Sequence, residues 1–337
     1  VNYVRLGDSG LKVSELCLGT WHLPRLKETD SYGIPKVDAE ETRRVVNLAF
    51  DHGINFIDTA NRYHGAMAPV DLNHYGNAEK ILSEILRDHE RESFVLATKV
   101  GNEMAPWPNG RGLSRKHMFW QITESLKRLK LEYVDVYLAH LPDEETPHLE
   151  TLQAFSDLVA MGKIHYIGCS NFTTEQVTDF MELSKVHDLV SFVTLQDPYS
   201  LGNRSIESDM LPLARKYNFT TMAYSTLAEG LLSSRYLDGV PVGSRATYSQ
   251  SLKKALSEKN LESLRKLSTL ASEKGISLSQ LAIAWILHKQ RKLGVNIIPI
   301  IGVSNKEQLL ENLQALEVHL SEDDMSKAEQ IVLPIQV

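Results

Sequence analysis

The side chains with most chemical capacity in this sequence close apolar runs. Asp58 ends Phe56–Asp58, Lys99 ends Phe94–Lys99, His140 ends Val134–His140, and Ser170 with Asn171 closes the run from Tyr166. Gln196 ends Phe192–Gln196, Tyr224 ends Thr220–Tyr224, and Tyr63 lies just beyond Asp58. Singly each has an ordinary explanation, such as a cap, a snorkelling lysine or a satisfied core histidine. Together they suggest a proton relay. A phenol with a pKa of ~10 is a poor acid or base at neutral pH. An ammonium beside it favours the phenolate and lowers that pKa, and a carboxylate behind the ammonium keeps it charged and oriented. Asp58, Lys99 and Tyr63 would form such a relay, with His140 orienting a carbonyl oxygen. That set suits carbonyl reduction, in which a developing alkoxide is protonated as a hydride arrives.

The elements that must carry these residues follow from periodicity. Leu16–Gly19 and Asn296–Ile301 complete eight strand-like runs, mostly continuous rather than alternating, as expected of strands covered on both faces. Helical patterns intervene. Asp38 with Glu41, Thr173 with Gln176, Ser277 with Gln280 and Ser304 with Glu307 have capping-box spacing. From Ser114 to Leu129 the residues Met118, Phe119, Ile122, Leu126 and Leu129 share one face. Strand and helix alternating over 1–337 predict one α/β domain, a (β/α)8 TIM barrel with its site at the C-terminal strand ends. Val1–Gly10 reads as a hairpin plug, Ser225–Asn260 as a long loop after strand seven, and Ser321–Ile331 as an extra helix.

The composition is that of an ordinary globular chain. Among 337 residues, 42% are hydrophobic and 23% charged, with a net charge of −7, which argues against a nucleic-acid partner. No apolar run reaches the length of a membrane span, and Val1–Leu11 lacks a signal-peptide pattern. Cys17 and Cys169 each sit in an apolar run, so a reducing, cytoplasmic setting is expected. His64 and His74 alone are a weak metal signal, and no metal is expected.

The chain resembles the aldo-keto reductases. The resemblance rests on NFIDTANRY (55–63), LATKVG (96–101), YVDVYLAHLPD (133–143), IGCSNF (167–172), Gln196, YSTLAEGL (224–231) and IPIIGVSNKEQLLEN (298–312), in family order. The SGLKVSELCLGT stretch matches the family's opening hairpin and first strand. The last motif and the long Arg-containing loop are similar to the branch of potassium-channel β subunits and general microbial reductases. The resemblance implies a catalytic tetrad of Asp58, Tyr63, Lys99 and His140, and an NADP(H) laid across the barrel mouth. No GxGxxG follows a strand, in keeping with a cofactor bound without a Rossmann domain.

By the same resemblance, Thr20, Trp21 and Asp58 lie along the cofactor, and Ser170, Asn171 and Gln196 bind its carboxamide. Tyr224 stacks on the nicotinamide, and Ser225, Leu227, Gly230 and Leu231 hold the pyrophosphate. Arg235 and Arg245, the arginines of that long segment, are expected to bind the cofactor, with Arg245 as its best remaining phosphate ligand. Gly302, Ser304, Gln308, Glu311 and Asn312 face the adenosine end, where a helix start favours phosphate. Substrate contacts are expected from Trp21, His22, His64, Trp107 and Tyr199, with a small carbonyl compound as the substrate.

Three departures qualify this reading. Thr226 replaces a common proline, and basic residues that several members use near the last strand are missing. The extra stretch Ala66–Tyr75 offers Tyr75 as a second tyrosine, although only Tyr63 keeps the family step from Asp58. Two alternatives stand beside the reductase: a regulatory NADP(H)-binding subunit with slow turnover, and an aldolase using Lys99 as a Schiff-base amine.

Overall fold

The computed structural model describes residues 1–66 and 71–331. The chain opens with an antiparallel pair, β1 (Tyr3–Arg5) and β2 (Lys12–Ser14), and enters the barrel at β3 (Cys17–Gly19). A second ribbon, β4 (Arg25–Thr29) and β5 (Pro35–Val37), precedes α1 (Ala39–Asp51). Five strand–helix units follow: β6 (Phe56–Asp58) with α2 (Asn77–Leu86), β7 (Val95–Val100) with α3 (Arg115–Leu129), β8 (Val134–Ala139) with α4 (His148–Ala160), β9 (Ile164–Ser170) with α5 (Thr174–His187), and β10 (Phe192–Pro198) with α6 (Met210–Tyr217). After β11 (Thr220–Tyr224) come α7 (Gln250–Ala255), α8 (Glu258–Glu273) and α9 (Leu278–Leu293). β12 (Asn296–Ile301), α10 (Lys306–Gln314) and α11 (Glu322–Ile331) complete the described chain. β3 and β6 to β12 form a closed parallel ring, sealed where Ile300 of β12 faces Cys17 of β3. This is the expected (β/α)8 barrel.

The parity of each strand decides which residues reach the mouth. Phe56, Val95, Ala97, Val136, Leu138, Met222 and Ile298 belong to one buried cluster inside the ring. Side chains alternate along a strand, so the next inward positions are Asp58, Lys99, His140 and Tyr224, one layer above that cluster. In β10 a register irregularity between Phe192 and Thr194 shifts the parity, so that Val193 and Gln196 both face inward.

The hairpin closes the opposite end, as expected. Leu6 and Val13 join the interior cluster. Gly7, at φ +58°, donates its N–H to Thr220 Oγ1 (2.8 Å), and a Cβ there would collide with the Val193 carbonyl.

Several local expectations change. Ser225–Asn260 is not a bare loop: it contains α7 and 3₁₀ turns at Ala228–Gly230, Ser234–Tyr236 and Arg245–Thr247. The Thr173/Gln176 and Ser277/Gln280 boxes form with both reciprocal bonds. At α10, however, the cap is Asn305 rather than Ser304. Asn305 accepts the Gln308 N–H, and Gln308 Oε1 accepts the Ser304 N–H.

The β4–β5 ribbon has no counterpart in the sequence reading, because its first strand is mostly exposed and shows no apolar alternation. Part of the stretch Ala66–Tyr75, residues 67–70, lies outside the described residues. Its His74 is buried between carboxylates, with Nδ1 to Asp71 and Nε2 to Asp30 both at 2.6 Å. It therefore ties the ribbon to this segment.

Candidate active site

Lys99 is fully buried at the end of β7 and uses all three ammonium donors. They go to Asp58 Oδ2 (2.7 Å), the Thr59 carbonyl (2.8 Å) and Tyr63 Oη (3.0 Å). Burial opposes its charge, but Asp58 and Tyr63 outweigh burial and hold Lys99 above its ordinary value. A saturated ammonium has no lone pair to attack a carbonyl, so the Schiff-base alternative finds no support here.

Tyr63 departs from the expectation for its pKa. Lys99 pulls it down, yet burial is the larger effect, and the phenol lies above 10.0. Such a group stays protonated at neutral pH and can give its proton away. Tyr75, the competing tyrosine, has the Arg62 guanidinium over its ring instead.

The rest of the mouth is a hydrogen-bonded chain. Gln196 Nε2 donates to Asp58 Oδ1 (2.9 Å), and Ser170 Oγ donates to the Gln196 carbonyl (2.7 Å). Asn171, at φ 63°, donates through Nδ2 to Ser170 Oγ and to the His140 carbonyl, both at 3.0 Å. Its Oδ1 accepts the Tyr224 hydroxyl proton (2.7 Å). The polar groups expected to meet a carboxamide are thus engaged with one another, while Gln196 Oε1 makes no bond to the described residues. Beside them, the buried Asp197 carboxyl is pushed up to about 6 by desolvation, although it accepts the Asn171 N–H. His140 lies edge-on to Tyr63, with ring centroids 5.7 Å apart. Burial, helped by Lys99 and Arg62, keeps it well below the usual histidine range, and its Nδ1 is buried without a partner among the described residues. It is a neutral imidazole.

On the β12 side the site turns cationic. His22 Nε2 meets Ser304 Oγ (2.8 Å), and burial together with Arg245, Arg25 and Arg235 pushes His22 down to about 4. Arg25 reaches from β4 to the Gly243 carbonyl. Arg245 pairs with Glu229 (2.8 Å), itself at φ 58°, leaving further guanidinium N–H groups unused by that contact. This end suits an anionic group, and the β9–β11 end suits an amide and a flat ring.

The model of the Aldo/keto reductase family matches residues 15–333. The chain belongs to that family. It is 36% identical to an L-glyceraldehyde 3-phosphate reductase of Escherichia coli K12, over 94% of this chain and 88% of that protein. It is 34% identical to a putative voltage-gated potassium channel subunit beta of Schizosaccharomyces pombe, covering 93% and 87%. A probable channel subunit beta of Oryza sativa is also 34% identical, covering 94% and 92%. As an aldo/keto reductase the chain is an oxidoreductase of small carbonyl compounds, in a family that binds nicotinamide dinucleotides.

In this aldo/keto reductase the remaining expected residues stand at four places, after β3, after β11, at the start of α10 and after β7. Thr20 is buried, bonded through Oγ1 to the Asp58 carbonyl and to Thr59 Oγ1. Trp21 is exposed and stands edge-on to Tyr63 at 5.0 Å. Ser225 is at φ 53° at the tip of β11, followed by the Leu227–Leu231 turn. Gly302 and Gln308 flank Ser304 at the start of α10, with Glu311 and Asn312 further along it. Trp107 is exposed above β7 and lies against Trp120.

The other substrate-side expectations need correction. Tyr199 is fully buried against Trp285 with its hydroxyl on Glu207, so it packs under α9 and does not reach the mouth. His64 is buried, edge-on to His74, with Nδ1 accepting the Ala66 N–H. His22 turns to Ser304 rather than toward Tyr63. Among the described residues no group of three or more potential ligands could hold a metal ion, and no helix is long and apolar enough to cross a membrane. Arg62 and Arg25 were not anticipated. The one signal for Arg62 was a charge directly before Tyr63.

Proposed function

We propose that this aldo/keto reductase reduces aldehydes or ketones to alcohols with NADP(H), using Tyr63 as the general acid. The observation that carries the reading is the buried Lys99 ammonium bonded at once to Asp58 and Tyr63. When bound, NADP(H) supplies the hydride. Tyr63 gives its hydroxyl proton to the substrate oxygen, and Lys99 stabilises the phenolate left behind. Asp58 keeps Lys99 charged and in place, and the neutral His140 offers a ring N–H to the same oxygen.

The donor set fits the cofactor. Gln196, Ser170 and Asn171 would hold its amide end, Tyr224 would lie on its ring, and Ser225 to Leu231 would follow its pyrophosphate. Arg25, Arg235, Arg245, Ser304 and Gln308 would take the phosphate-rich end, which favours NADP(H) over NAD(H). The relative named for L-glyceraldehyde 3-phosphate supports an aldehyde as the substrate class. Relatives named as channel β subunits motivate slow turnover as the second reading.

Fluorescence titration with NADPH and NADH, followed by steady-state NADPH oxidation with a panel of aldehydes, tests both. Tighter NADPH binding with turnover is expected. Tight binding without turnover would favour the regulatory reading, and no binding would reject both.

A further inference from the structure

Arg62 is a half-buried guanidinium whose contacts are all neutral. One of its N–H groups donates to Asn102 Oδ1 (2.7 Å), and its Cζ lies 5.5 Å from the centre of the Tyr75 ring. Among the described residues it makes no ion pair, and residues 67–70 are Met, Ala, Pro and Val. Asn102 is buried just past the end of β7, the strand that carries Lys99, and Arg62 directly precedes Tyr63. Its charge also reaches His140. Arg25, Arg235 and Arg245 surround His22 and Ser304, beyond β3 and β12. Arg62 instead stands beyond β6 and β7, around the ring from them.

A guanidinium with spare donors in a half-buried site gains most from a bidentate carboxylate or phosphoryl group, and none of its protein contacts supplies one. We infer that Arg62 is an anion-recognition residue for substrate, selecting small aldehydes that carry a carboxylate or a phosphoryl group close to the carbonyl. The inference rests on the reductase reading for where the substrate lies. Asn102 and Tyr75 would then be positioning residues that aim the guanidinium.

Paired substrates that differ only in the charged group test this. They are glyceraldehyde 3-phosphate with glyceraldehyde, and succinic semialdehyde with butyraldehyde. For at least one pair, the wild-type kcat/KM should favour the anionic member, mainly through KM. Arg62→Gln should cut that ratio by about 10- to 100-fold, the loss typical of a removed charge-assisted bond, and Arg62→Lys should restore part of it. The pair that shows the preference separates phosphoryl from carboxylate recognition. Equal ratios in wild type and Arg62→Gln, or a loss confined to NADPH affinity, would overturn the proposal.

A wild type that turns over no aldehyde would count against the reductase reading alone. In that case, calorimetric titration of the NADP-saturated protein with 3-phosphoglycerate and with succinate decides the anion site. Weaker binding in Arg62→Gln supports it, and unchanged or absent binding of both probes overturns it.

Discussion

At the scale of single residues, the site is governed by the balance between burial and charge around Lys99. Removing one partner of a buried ion pair leaves the other uncompensated. Lys99→Met should therefore cost about 3–5 kcal/mol of folding stability as well as turnover, measurable by denaturant unfolding beside a rate assay. In the proposed role of Tyr63 as general acid, its protonated phenol is the reactive form in reduction, and its pKa lies above 10.0. The reduction rate should therefore hold level through the neutral range and fall only as pH rises past that value. His140 is depressed well below 6.5 and adds no titration near neutrality. A pH–rate profile of kcat with a bell centred near neutrality would contradict both assignments. Asp58, Lys99, His140 and Tyr224 were legible in the sequence because each is the last inward position of an apolar strand. Tyr199 misled because β10 runs on to Pro198, past the expected end at Gln196, and the next side chain turns under α9. The upward shift of Tyr63 was not legible, since burial depends on neighbours such as Trp21 and His140 that only the closed ring brings together.

Secondary-structure elements hold this geometry through a few specific contacts. Gly7→Ala would force a Cβ into the Val193 carbonyl at a positive φ, so a loss of about 1–3 kcal/mol or more in chemical unfolding is expected. His74 links the β4–β5 ribbon to residues 71–76, and its hydrogen bonds to Asp30 and Asp71 outweigh burial to raise its pKa above 6.5. A raised folded-state value means that this stabilisation is complete below 6.5 and is lost as pH rises through the folded value. The Tm gap between wild type and His74→Asn should therefore shrink with increasing pH, and a gap that widened would reverse the assignment. At α10 the expected frame is Ser304 with Glu307, and the structure holds a second one, Asn305 with Gln308. The second forms because Gln308 takes the Ser304 N–H while Ser304 Oγ meets His22. The barrel strands were legible to within a residue or two at most ends. The ribbon was not, because exposed strands carry no burial pattern.

Across the whole molecule, one ring presents two chemically different ends over a single mouth. The β6–β8 side holds the buried relay, and the β12–β3 side gathers Arg25, Arg235 and Arg245 around His22 and Ser304. Attraction to that cluster is screened by salt, so NADPH affinity should fall as ionic strength rises, with a steeper slope than for NADH. The measurement that bears most directly on the relay is kcat for NADPH-dependent aldehyde reduction in wild type, Tyr63→Phe and Tyr75→Phe, with NADPH affinity measured alongside. The expected result is a loss of about 10²- to 10⁴-fold in Tyr63→Phe at near-normal NADPH affinity, with Tyr75→Phe far less affected. Near wild-type kcat in Tyr63→Phe, or the large loss appearing in Tyr75→Phe instead, would contradict it.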